Sequence, residues 1–114
     1  MEIRNLHEST MFSSNGISKK IVFNTEEVLC FLLNLLPGQT IPAHRHENSV
    51  MIATVLNGSC EIIVNQDKFE FEKGHAVLVS GHDDFGITEV MTDLSLYVSL
   101  SPNPANPEYA KDIH

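Results

Sequence analysis

The sequence GQTIPAHRH, residues 38–46, decides how the rest of the chain is interpreted. On a β-strand, side chains two positions apart point to the same face. His44 and His46 would therefore project together, either into a barrel or away from it. Two imidazoles that converge in the mouth of a barrel form half of a metal site. An H-x-H pair is also common on exposed surfaces, so the surrounding sequence must distinguish the two interpretations.

Short apolar runs separated by turn residues surround this stretch, which is typical of an all-β protein. Residues 17–23 alternate, and the alternation places Ile17, Lys19 and Ile21 on one face. Asn57-Gly58 is a strong turn signal between two of the runs. We predict about eight strands, at residues 17–23, 28–36, 50–56, 60–64, 69–72, 76–79, 85–90 and 94–100. Strands at this regular spacing predict a sandwich or a jelly roll.

The chain is expected to form one domain, since its 114 residues suit a single core. The predicted barrel covers about residues 17–101, preceded by an N-terminal arm, residues 1–16, that is a short helix or extended. The tail, residues 102–114, contains three prolines. Proline lacks the N–H that a sheet requires, so this tail should not continue the sheet.

The charge balance excludes some partners. The chain has 15 acidic residues against 7 Lys and Arg, a net charge of −8, whereas nucleic-acid binding needs clustered basic residues. No apolar run approaches the roughly 20 residues of a membrane span. The N-terminus lacks the features of a signal peptide. We therefore expect a cytoplasmic protein with neither nucleic acid nor membrane as a partner.

Residues 38–58 resemble the first motif of the cupin family, which is a glycine, five residues, H-x-H, three or four residues, a glutamate, six residues and a glycine. Gly38, His44, His46 and Gly58 match, and Met51 stands at the glutamate position. The resemblance implies an all-β cupin jelly-roll barrel, also called a double-stranded β-helix. It also implies that His44 and His46 point into the barrel.

The second cupin motif maps more loosely onto residues 74–89, where Gly74 fits and Phe85 takes the position of the histidine. Cupins typically hold a metal with three histidines and the glutamate, so two of the four ligands are replaced here. Phe85 offers no ligand atom, and the thioether of Met51 suits Cu(I) better than Mn²⁺ or Fe²⁺. We expect Met51 and Phe85 to line the pocket and make it apolar.

His82 is a candidate for the missing third ligand, because it lies three residues before Phe85 in a turn-rich segment. With His44 and His46 it would form an open three-ligand site, the arrangement of a catalytic zinc. The alternative is that His82 belongs to a surface turn. The cofactor implied is a divalent transition metal: Zn, Ni, Fe, Mn or Cu.

Three functions remain open at this stage. The first is a binding protein with a pocket for an unknown small-molecule ligand and a weakly held divalent metal at His44 and His46. The second is a metal-dependent dioxygenase, isomerase or decarboxylase that uses His82. The third is a structural or regulatory relic whose pocket is closed by Met51 and Phe85. The two replaced ligands weigh against the enzyme, and the retained His44 and His46 weigh against the relic, so the sequence favours the binding protein.

A homodimer is expected from residues 28–36, which are apolar on both faces of the predicted strand. Leu29, Phe31 and Leu33 lie on one face, and Cys30 and Leu32 lie on the other. Both faces must then be covered. A second copy of the chain would cover one of them, and the alternative covers are the N-terminal arm and the tail.

Overall fold

Antiparallel strands build the barrel in the computed structural model, which describes residues 1–105, 109 and 111–113. A short 3-10 helix, Leu6–Ser9, precedes them in the N-terminal arm. The strands are β1 Ser18–Asn24, β2 Leu29–Leu35, β3 Ile41–His44, β4 Val50–Val64, β5 Asp67–Glu72, β6 Ala76–Val79 and β7 Phe85–Ser101. The predicted all-β fold is therefore confirmed.

Two long strands replace four of the predicted short ones, because β4 and β7 each continue through a position where we expected a break. The turn predicted at Asn57-Gly58 is wrong. Gly58 has a φ of +87° and lies in the middle of β4, where the pairing with β7 shifts register. A side chain at Gly58 would collide with the backbone of Asp93. The glycine bends a continuous strand here, and does not reverse it.

The bend lets each long strand take part in two sets of pairings. The first half of β4 pairs with β6 and with the second half of β7, which pairs in turn with β2, and β2 pairs with β1. The second half of β4 pairs with β5 and with the first half of β7, which pairs with β3. This is the double-stranded β-helix, and its inward side chains form one main core.

Both faces of β2 are buried, as predicted, but residues of the same chain cover them. Leu29 and Phe31 belong to the main core. Cys30 and Leu32 form a second cluster on the outer face with Val22, and Leu6 of the N-terminal arm packs against it. The arm, which was the alternative cover in the sequence analysis, thus supplies apolar contact where we expected a partner subunit.

The tail folds back onto the edge of β1 beyond its prolines. Lys19 N donates to Ile113 O at 2.6 Å, and Ile113 N donates to Lys19 O at 2.8 Å. Asp112 accepts a hydrogen bond from Ile21 N at 2.6 Å. These contacts hold the described end of the tail against the edge of β1, where it adds one isolated bridge to the sheet. Within the described residues, no helix has the length and hydropathy needed to cross a bilayer.

Candidate functional site

A cavity of about 180 Å³ lies inside the barrel, with walls from β1, β2, β3, β4 and β7 and from the returning tail. Its lining is mostly apolar, with Lys19, His44, His46 and Tyr109 as the polar exceptions. A cavity of roughly 150 Å³ is known to hold a benzene-sized molecule. This cavity is therefore large enough for a small organic ligand.

The last residue of β3 is His44, and His46 follows in the connection to β4. That connection makes a tight turn in which Ser49 N donates to His46 O at 3.0 Å. Gly81 packs directly against this turn, and a side chain there would come within 2.8 Å of His46 O and 2.9 Å of Ser49 O. Both histidines line the cavity, so the structure brings them together on the inside of the barrel.

The two histidines are hydrogen-bonded to each other, with their Nε2 atoms 3.1 Å apart. The Nδ1 atom of His44 lies 2.9 Å from Pro42 O. A carbonyl oxygen can only accept, so Nδ1 of His44 carries a proton. In the neutral ring Nε2 of His44 is then the acceptor, and Nε2–H of His46 donates to it. Both Nε2 atoms, the natural metal-binding atoms of such a pair, therefore face each other.

Burial lowers the pKa of His46 from 6.5 to about 4, and the neighbouring His44 and Lys19 contribute to the same shift. His46 is only 7% exposed, which removes water that would stabilise the imidazolium. His46 is therefore neutral at neutral pH. Its ring also contacts Tyr109 of the tail, with ring centroids 5.6 Å apart.

Lys19 was not among the residues that the sequence suggested for the site, although it lines the cavity and is 7% exposed. Its Nζ lies 4.3 Å from the ring centroid of Phe31 and 5.9 Å from that of Tyr109. Burial lowers the pKa of Lys19, and Asp112 opposes the shift. The alternation of residues 17–23 had already placed Lys19 on the apolar face, which was the signal available in the sequence.

The residues at the two replaced ligand positions both line the cavity beside the histidines. Met51 lies on β4 opposite Val79 and Leu100, and Phe85 pairs with His44 across β3 and β7. They form part of the wall and leave open space between them. These two side chains add to the apolar character of the lining, to which β1, β2, β3 and β7 also contribute.

His82 lies outside the residues that line the cavity. It is exposed, and its N–H donates to Ser80 Oγ at 3.3 Å in the turn before β7. Nothing in the described part of the chain brings three or more His, Cys, Asp or Glu side chains together as a metal site. The described residues thus supply two histidine ligands and no third, with an ammonium in the same cavity, which is a poorer donor set than a resident zinc site usually has.

Fold and cavity together define a class of protein: a small double-stranded β-helix barrel with a ligand-sized interior. The sequence profile of the Cupin domain matches residues 31–92, more than half of the chain. The chain therefore belongs to the cupin family. No curated protein matches it significantly.

Solved structures of similar proteins agree with this fold. TT1209 from Thermus thermophilus is 27% identical, with a TM-score of 0.83 over 90% of this chain and 98% of that one. An RmlC-like cupin from Desulfovibrio desulfuricans is 21% identical, with a TM-score of 0.81 over 90% and 97%. A conserved protein with a double-stranded β-helix domain from Klebsiella pneumoniae is 18% identical, with a TM-score of 0.84 over 93% and 94%.

Proposed function

We propose that this protein binds a small organic ligand in the cavity beside His44 and His46, without a resident metal centre. The observation that carries this proposal is the cavity itself, about 180 Å³ of largely apolar space with a few polar side chains at its wall. Ligand pockets commonly combine apolar walls with a small number of polar groups that fix orientation. A cytoplasmic location stays part of this proposal.

The two other functions of the sequence analysis have less support. The metal-dependent enzyme needed His82 beside the histidine pair, and His82 is exposed outside the cavity. The relic needed a pocket closed by Met51 and Phe85, and these side chains leave the cavity open. A protein that binds a small molecule requires neither a third metal-ligating residue nor a closed pocket.

Methyl NMR on methionine-labelled protein tests the proposal, because the chain carries four methionines. Met51 lies in the cavity wall, whereas Met1, Met11 and Met91 are exposed and serve as internal controls. In a screen of small fragments at millimolar concentration, we expect some to shift the Met51 methyl signal and leave the other three unchanged. A screen in which no fragment moves Met51 selectively would contradict the proposal.

A matched pair of variants shows whether the shifts come from the cavity. Leu33 lines it, and Leu33→Phe should narrow it and weaken the fragments that shift Met51. Ile3 is 76% exposed in the N-terminal arm and outside the cavity, so Ile3→Phe makes a change of similar size on the surface and should leave their binding intact. Equal effects of the two variants would argue against binding in the cavity.

A further inference from the structure

Among the described side chains that line the cavity, Lys19 is the one that ends in an ammonium group. Its position is fixed by the backbone, because both its N–H and its carbonyl are bonded to Ile113 of the tail. It stands on the inward face of β1, and its neighbour Lys20 points outward and pairs with Asp112 at 3.1 Å. The ammonium of Lys19 is thus held inside the barrel by the strand.

The surroundings of this ammonium are aromatic and apolar. The ring centroid of Phe31 lies 4.3 Å from Nζ, and cation–π attraction of this kind offsets part of the cost of removing an ammonium from water. A buried charge is most stable when it has an opposite charge beside it. Asp112 is near enough to oppose the lowering of the Lys19 pKa, but it is outside the cavity lining, where it is bonded to Lys20 Nζ and to Ile21 N. The lining contributed by the described residues contains no carboxylate, so a ligand would supply an opposite charge on the cavity side of the ammonium.

The same ammonium would also disfavour a metal ion at the histidine pair. Lys19 is near enough to His46 to lower the pKa of its imidazole. A divalent cation on the two Nε2 atoms would be repelled by this positive charge in a medium that screens it poorly. The cavity carries its own positive charge on Lys19, and a positive charge favours an anion over a metal cation.

We propose that the cavity binds small apolar monocarboxylates, with the carboxylate on Lys19 Nζ and the hydrocarbon part against Phe31, Met51 and Phe85. This inference rests on the proposed function and names its ligand class. One ammonium neutralises one negative charge, so a dianion such as phosphate would keep an uncompensated charge in apolar surroundings.

Benzoate and benzamide are suitable probes, because they have nearly the same shape and differ in charge. We expect chelator-treated protein to bind benzoate about tenfold or more tightly than benzamide, the range expected for a hydrogen bond between charged groups. Lys19→Met keeps the length and apolar stem of the side chain and should reduce benzoate binding to the level of benzamide. Lys68→Met removes a charge from the exposed side of β5 and should leave both affinities unchanged.

The Met51 methyl titration measures the affinity of each of the three proteins for each of the two ligands, six combinations in all. Equal affinities for benzoate and benzamide in the unmodified protein would overturn the inference and leave the proposed function standing. A preference for benzoate that persists in Lys19→Met would also overturn it. Since the ligand pair is compared first in the unmodified protein, the test does not depend on how well the variant folds.

Discussion

At the residue scale, the central feature is that His44 and His46 are hydrogen-bonded to each other. Their Nε2 atoms are 3.1 Å apart, and the second nitrogen of His44 is held by Pro42 O. A metal would have to break the first bond and displace the proton from His46. It would then have two protein ligands, where a catalytic zinc site usually has three.

Metal binding should therefore be weak and should depend on both histidines. We expect substoichiometric Zn²⁺, Ni²⁺, Fe²⁺, Mn²⁺ or Cu²⁺ after dialysis, measured by elemental analysis of the purified protein. His44→Ala and His46→Ala should each remove what remains, and His82→Ala should have no effect. Tight binding of one metal per chain, retained against a chelator, would be incompatible with this site.

His46 should also make stability depend on pH. Its pKa is about 4 in the folded protein and ordinarily 6.5, so between these values the unfolded chain binds a proton that the folded chain does not. The free energy of unfolding then falls as pH falls from 6.5 to 4, and the full contribution is present above 6.5. Allowing for partial solvent screening, the loss is on the order of 2 kcal/mol.

Urea unfolding of the metal-free protein at pH 7 and pH 5 measures this effect. His46→Gln should lose part of the pH dependence, and His75→Gln, at an exposed histidine, should retain it. NMR titration of the imidazole gives the pKa directly. An imidazole of His46 that titrates near its ordinary pKa would show that burial does not act on it as described.

Site residues that belong to a family motif could be predicted from the sequence, and residues that reach the site only through the folding of the chain could not. The cupin spacing predicted that His44, His46 and Met51 face the interior, and all three line the cavity, because family motifs record positions along strands. Lys19 was visible as a charged residue on an apolar face, but nothing in the sequence showed that this face enclosed a cavity. Tyr109 lies beyond three prolines, and its contact with His46 depends on the return of the tail.

At the element scale, Gly58 is the position where β4 bends between its two sets of pairings. Gly58→Ala would force a side chain onto the backbone of Asp93 at a φ of +87°. Gly74 has a similar φ of +91° but open space around it, so it is the natural control. We expect Gly74→Ala to cost about 1 kcal/mol from backbone strain alone and Gly58→Ala about 3 kcal/mol.

Chemical denaturation of the two variants gives this difference in unfolding free energy. Equal losses would mean that the backbone at Asp93 moves aside easily and that Gly58 is not needed for the bend. The same position explains why the sequence misled us about β4. Asn-Gly in a sequence usually indicates the turn of a two-residue hairpin. At Gly58 the chain does not reverse, because β4 pairs with the long strand β7 on both sides of the glycine.

At the scale of the whole molecule, we propose that the protein is a homodimer, although the outer face of β2 is already covered by Leu6 and its neighbours. A different surface supports the dimer. Leu78 on β6 is 67% exposed and pairs with Ile52 on β4, which is 44% exposed. β6 is a short strand at an edge of the barrel, where a second copy can pack its own Leu78 and Ile52 against this patch.

Light scattering at micromolar concentration should give about twice the 12.7 kDa chain mass. Replacing Ile52 and Leu78 together by lysine should produce monomers. Phe69→Lys changes an exposed apolar residue on β5 and should leave the dimer intact. A monomer mass for the unmodified protein would refute the dimer.

The central claim is that the barrel holds a ligand cavity whose positive charge is Lys19 and not a metal. A crystal structure of chelator-treated protein soaked in benzoate tests it most directly. We expect the ring in the cavity beside Met51 and Phe85, with a carboxylate oxygen about 3 Å from Lys19 Nζ. A cavity without benzoate, or one with a metal on His44 and His46, would contradict the claim.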